Sequence, residues 1–316
     1  MEEKIISEEQ LEIMRHKARK RQNIAIVLTF LAFVLYIGMF YVALIEKEGM
    51  SVLFVVKIVF AAAVLAIATF GLLWYIVVHR TYEKFNSNYK SKYVIQVLNG
   101  IPGFEGLEYH PEGGFTWDEI RNAGVVANGE KQHFESEDQL FGEYEHVKFR
   151  ISDVVTKKLV RRDGKTKTEE IFGGQVICLL GFDDLKVSKG HIQIFEKEFL
   201  SNFAGWKAEH QIQTENEAFQ SRFRVYADDE HNAYYILTPQ RIEKIMEFAD
   251  AVKGQISLVF YDEKLFAAVK RESMFDAVMD EPVSKQTEYI PVSYTHLDVY
   301  KRQCLRCARK PLQKRC

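Results

Sequence analysis

Outside its last 27 residues the chain has almost no cysteine: Cys178 stands alone, and the other three fall at 304, 307 and 316. Residues 1–289 therefore cannot carry a disulfide framework, and a lone thiol within an apolar run reads as buried and inert, in keeping with a cytoplasmic setting. Glycine patterns that converge backbone amides on phosphate are also missing. Neither G-x-x-x-x-G-K-[ST] nor a strand-glycine-helix G-x-G-x-x-G occurs, and Gly100, Gly103 and Gly106 have the wrong spacing and follow a helical stretch. No G-x-S-x-G elbow is present. Positive charge is outweighed by negative in the body of the chain. The whole is formally −2, yet from Ile290 onward seven Lys/Arg stand against one Asp, so residues 1–289 are acidic. Nucleic-acid binding is driven by positive surface, and no such partner is expected. No catalytic residue, cofactor or metal site is assigned.

The tail is read separately. Ser293 to Gln303, SYTHLDVYKRQ, has the look of a translated cloning adapter, and 290–316 is set aside as non-native. The Cys304-Leu-Arg-Cys307 pair lacks the second ligand pair that a zinc site needs.

What is present is apolar length. Ile24 to Ile45 runs 22 residues without a charge, enough at 1.5 Å per residue to cross a hydrocarbon core of roughly 30 Å. Val52 to Val78 carries one charge, Lys57, about one and a half turns from its end, where its stem can reach the headgroups. A short turn, Glu46 to Ser51, separates the two runs, and 24–79 reads as a transmembrane hairpin. Arg15, Lys17, Arg19, Lys20 and Arg21 precede it, and Arg80, Lys84, Lys90 and Lys92 follow, so both ends are expected in the cytoplasm. The first run is too long for a signal peptide and has no small-residue cleavage site. Ser7-Glu-Glu-Gln10 is a capping-box pattern that should start a basic helix within 1–23.

Residues 80–99 form a membrane-proximal segment with Tyr82, Phe85, Tyr89, Tyr93 and Val97 three or four apart, a helix with one apolar face. It is expected either to prolong the second span and pack its stripe on the following domain or to lie in the membrane interface. Residues 100–289 then read as an α+β domain dominated by antiparallel sheet. Strands are expected at Glu143–Val160 and Glu170–Phe182, joined through Asp163-Gly164, and at His191–Phe195, Arg222–Ala227, Tyr234–Leu237, Gln255–Tyr261 and Leu265–Lys270. Thr238-Pro239 should cap a helix that Gly254 ends.

Glu137-Asp138-x-x-x-Gly142, Phe172-Gly-Gly174, Phe219-x-x-x-Phe223-x-Val-Tyr226, Ala233-Tyr-Tyr-Ile-Leu-Thr-Pro239 and Leu265-Phe-Ala-Ala-Val269 together resemble an uncharacterised family of bacterial membrane proteins with two N-terminal transmembrane helices. The resemblance spans about residues 20 to 280. It implies this architecture and a bacterial inner membrane, with no assigned activity.

Candidate chemistry is thin. His133-Phe-Glu135-Ser-Glu137-Asp138 holds ligand types for a metal or a general base, but such a run reads more readily as a solvated loop in which Asp138 caps a turn. His110, His146, His191, His210 and His231 are scattered singly. Arg161, Arg162, Lys165 and Lys167 make a basic hairpin tip that is a solvated turn, a contact with anionic lipid or a protein-binding feature; Arg19, Lys20 and Arg21 share the lipid reading. The expected function is a membrane-anchored interaction or scaffold module. Its partners are the bilayer, a protein at the inner membrane and a second copy, with Gly38 and Ala61-Ala-Ala63 allowing helices to approach. A small-ligand sensor or an enzyme with a site dispersed in sequence is the alternative.

Overall fold

The structure, a computed structural model, describes residues 6–45, 52–144, 146–162, 164–180, 190–199, 209–252, 254–271, 273 and 275–286. The expected turn at 46–51, Asp163 of the hairpin pair and the 290–316 tail with its C-x-x-C lie outside them. The chain is α+β: apolar N-terminal helices precede a domain dominated by antiparallel sheet. It divides into two compact units, one of residues 6–94 with 276–286 and one of residues 95–275.

In the helical unit, α1 (Glu8–Ile45) begins on the reciprocal bonds of a capping box: Gln10 N donates to Ser7 Oγ at 3.2 Å and Ser7 N to Gln10 Oε1 at 3.3 Å. α2 (Val52–Leu73) continues through a π-helical turn (Trp74–His79) into α3 (Arg80–Asn88), a second π-helical turn (Tyr89–Val94) and α4 (Ile95–Asn99), which opens the other unit. Two stretches, Glu8–Met39 and Val59–Asn99, are long and apolar enough to cross a membrane. Phe60 and Ile67 are each 71% exposed, and Phe30 and Val34 also lie open. So much bare apolar surface suits hydrocarbon and is costly in water.

Toward the polar end of α1 the helices bury side chains instead, among them Leu11, Ala18, Phe85 and Tyr89. Two tyrosines of the aromatic stripe have hydrogen-bond partners within the helical unit. Tyr93 OH donates to Glu8 Oε2 at 3.1 Å and Tyr82 OH to Ala277 O at 3.2 Å, so α1 and the returning segment supply them. Residues four apart drift about 40° per step around an α-helix. The wider turn at Tyr89–Val94 offsets that drift and keeps the stripe on one side. The returning segment is clasped by side chains. Arg15 Nη1 donates to Met279 O at 2.7 Å, Val283 N donates to Glu12 Oε2 at 3.1 Å, and Asn86 both donates to Asp276 Oδ1 and accepts from Ala277 N. Arg15, hydrogen-bonded to Glu12, holds that carboxyl below its ordinary range although partial burial opposes the shift.

The second unit is built on a sheet that has nine strands among the described residues, in the order β1-β2-β3-β4-β9-β8-β5-β7-β6, every neighbouring pair antiparallel. The strands are β1 (Phe104–His110), β2 (Glu135–Tyr144), β3 (Val147–Arg162), β4 (Lys165–Leu179), β5 (Ile192–Glu196), β6 (His210–Ile212), β7 (Phe223–Ala227), β8 (Gln255–Tyr261) and β9 (Lys264–Lys270). The Asp-Gly hairpin joins β3 to β4, with Arg162 opposite Lys165 and Gly164 at φ 74. Asp262 and Glu263, both at positive φ, turn β8 into β9. Pro239–Ala251 is helix α8, capped by Thr238.

Three expectations need correction. Glu143–Val160 is not one strand, because the chain reverses between Tyr144 and Val147 with His146 at φ 70. The run from Glu135 to Asp138 is not a loop but the first part of β2. Tyr234–Leu237 is not a strand: Ala233 to Ile236 lie in helix α7 (Glu230–Ile236), whose start Asp229 fixes by accepting from His231 N and Asn232 N. The Tyr-Ile-Leu-Thr-Pro junction is thus helix to helix. β1, β6, α5 (Trp117–Ala123) and α6 (Glu217–Arg222) are further elements of the domain.

α5 lies over one face of the sheet. Thr116 and Glu119 form its capping box and Gly124, at φ 65, ends it. The chain then crosses the sheet as the buried segment Gly124 to Ala127, which has no ladder of its own, so its carbonyls need side-chain donors. Three strands provide them: Gln193 Nε2 donates to Gly124 O at 2.8 Å, Ser257 Oγ to Val125 O, and Thr156 Oγ1 to Ala127 O at 3.0 Å. Phe115, Ile120, Val154, Phe172, Phe195, Val259 and Phe266 pack into the same core.

Candidate functional site

The long β3–β4 hairpin outruns its neighbours. β2 accompanies β3 only as far as Val155, and β9 joins β4 only at Gly174, so Lys157–Arg162 and Lys165–Gly173 continue as a two-stranded ribbon. A loop props its base: Glu130 N donates to Lys157 O at 2.9 Å, and Leu159 N donates to Glu130 Oε1 at 3.2 Å. Gly129 permits that approach, since a Cβ there would sit 2.7 Å from Lys157 O. Along the ribbon, charges are matched across the strands, Lys157 opposite Glu170 and Lys158 opposite Glu169. At the tip the matching stops. Arg161, Arg162, Lys165 and Lys167 are all exposed and brought together, with Arg162 opposite Lys165 and Val160 opposite Lys167. An isolated two-stranded ribbon is marginal in water, and a bare one with a basic end presents backbone edges and charge to whatever it meets.

The other basic candidates belong to the helical unit and are partly engaged there. Arg19 stands 3.7 Å from Asp280, and Arg21 donates to Thr81 Oγ1 and, at 3.4 Å, to Val77 O, tying α1 to the second helix. Lys20 is exposed.

The His133–Asp138 run does not converge on a centre. From Glu135 onward it is strand, which sends successive side chains to opposite faces: Glu135 pairs with Lys157 at 2.6 Å, while Asp138, at a bulge with φ 58, is buried and accepts from Tyr109 OH. Among the described residues no three His, Cys, Asp or Glu side chains gather as metal ligands would. His191 serves the fold, stacking on Tyr261 at 4.3 Å with Nε2 2.8 Å from Asn122 O. Cys178 is buried in β4, and that burial pushes its thiol up to about 12, away from thiolate chemistry. Beyond these, an open polar groove of about 440 Å³ lies by β6 and α6. Lys197, Glu217 and Arg224 line it, although Arg224 already donates to Gln220 O at 2.9 Å and Gln220 Oε1 accepts from Thr214 N and Oγ1.

Open apolar helices, an antiparallel α+β domain and a projecting ribbon define the class: a protein with two potential membrane spans and a sheet domain. A family described as protein of unknown function (DUF3137) matches residues 170–300. Four of the five segments that carried the family resemblance, from Phe172 to Val269, fall inside the match, and Glu137–Gly142 falls outside it. The match continues past Tyr289 into the segment read as adapter. No curated protein and no solved structure is similar to the chain.

Proposed function

We propose that the protein is a membrane-anchored interaction module of a bacterial inner membrane, with both ends and the sheet domain in the cytoplasm and the β3–β4 ribbon as its binding feature. The ribbon carries this reading, because strands that leave the shelter of their sheet while keeping a charged, exposed tip do nothing for the core. Orientation is supported by the Lys/Arg that flank the two apolar runs. At the tip, Arg161, Arg162, Lys165 and Lys167 suit an anionic surface, either lipid headgroups or an acidic face of a partner.

The test is crosslinking and capture of the full chain from native membranes, beside a chain in which Leu159–Thr168 is replaced by Asn-Gly to close the hairpin early. A discrete partner held by the first and lost by the second is the expected result. The polar groove with Lys197 favours a second reading, a small-ligand sensor or enzyme. Recovery of the protein alone, with a small molecule retained by both chains, would sink the interaction module and favour that one.

A further inference from the structure

The outer edge of β4 has no described strand beside it from Lys165 to Gly173, and residues 164–170 are all exposed. A two-residue hairpin loop is flanked by a hydrogen-bonded pair, here Arg162 and Lys165. Alternation from that pair turns the backbone N–H and C=O of Lys165, Lys167 and Glu169 toward β3, and those of Thr166, Thr168 and Glu170 outward. A strand added to this edge must meet outward groups with outward groups of its own, which halves the registers open to it.

For the edge paired antiparallel with itself, charge selects among the rest. A two-fold centred on Thr168 sets Lys167 opposite Glu169 of the partner copy and Glu169 opposite the partner's Lys167, with Thr166 facing Glu170 and Thr168 facing itself. Centring on Glu169 sets Glu169 against itself, and centring on Lys167 sets Lys167 against itself between two Lys165–Glu169 pairs, so of the three the register centred on Thr168 has attractive pairs and no repulsive one. We infer that β4 pairs with β4 of a second copy in the register centred on Thr168, joining two sheets into one across an isologous two-fold contact. This rests on the reading of the ribbon as the interaction surface and names its occupant. The opposing view is that Lys and Glu on an open edge keep other strands away.

The experiment uses the full chain in nanodiscs of neutral lipid, with Cys304, Cys307 and Cys316 changed to serine, and measures subunit number and dimer dissociation. Lys167→Glu and Glu169→Lys are each expected to weaken the dimer by about tenfold or more, since both cross-copy pairs become repulsive. Mixing the two variants should restore it, because Glu then meets Lys at both contacts. Thr168→Cys should crosslink to itself under mild oxidation, at a Cα separation of about 5.5 Å, and Thr166→Cys should not. A monomeric parent chain, single reversals without effect, or equal crosslinking at 166 and 168 would each overturn the pairing. A monomer that still captures a discrete partner through its ribbon overturns the pairing and leaves the interaction module standing. A dimer in this register that captures no other protein sustains the pairing and removes the need for a different partner.

Discussion

From Phe149 to Thr156 on β3 and from Phe172 to Leu179 on β4, the hairpin lies within the sheet, flanked by β2 as far as Val155 and by β9 from Gly174. Val154, Phe172, Val176 and Cys178 are buried there. From Lys157 to Arg162 and from Lys165 to Glu170 the same two strands stay paired, in a register shifted by one residue between Thr156 and Lys157, and lose nearly all cover. Backbone pairing alone therefore says little about where stability resides. Inside the sheet it accompanies apolar burial, at roughly 25 cal/mol per Å²; in the ribbon it has mainly charge pairs beside it, at a few tenths of a kcal/mol each.

That contrast can be broken most severely from within. Phe172→Ala, at a side chain 2% exposed in the core under α5, should cost about 3–5 kcal/mol and show as a large fall in the denaturation midpoint of the sheet domain. A smaller effect is expected at Glu119, whose carboxylate receives Arg150 Nη1 at 2.9 Å and Nη2 at 3.3 Å and so pins α5 to the inner half of β3. Burial raises the Glu119 pKa, but the bonds from Arg150 and from Thr116 outweigh it and leave it below the ordinary carboxylate range. A carboxyl depressed in the folded state adds stability that is present above its unfolded pKa and lost as pH falls through its folded one. Thermal melts taken downward from neutral pH should accordingly show Glu119→Gln less stable at neutrality and less sensitive to acid than the parent. The smallest effect belongs to the ribbon: Leu159→Ala, 43% exposed, should change stability by no more than about 0.5 kcal/mol. A loss like that of Phe172→Ala would mean that the ribbon is covered after all.

Much of this was legible in the residues. Asp163-Gly164 marked the hairpin, Thr238-Pro239 the start of α8, and uncharged length the two apolar helices. Other signals were present but went unread: Thr116-x-x-Glu119 followed by Gly124 spells out α5, cap to cap. Tyr234-Tyr-Ile-Leu237 misled because aromatic and branched residues favour strands, whereas the Asp229 cap and the burial of Ala233 and Ile236 three residues apart make a helix. Asp138 was beyond sequence reasoning, since a bulge and the Tyr109 phenol decide its burial. The basic tip could be named from sequence, but the open edge behind it could not. That edge depends on where β9 stops at Lys270, a property of two strands far apart in the chain.

The segment 276–286 has a further consequence. It belongs with α1 and α3, so the sheet domain enters from the helical unit after Val94 and returns to it after Phe275. In topological terms the domain is an insertion held by two leashes. One proteolytic cut at either crossing leaves it attached through the other, and releasing it from the helical unit takes two.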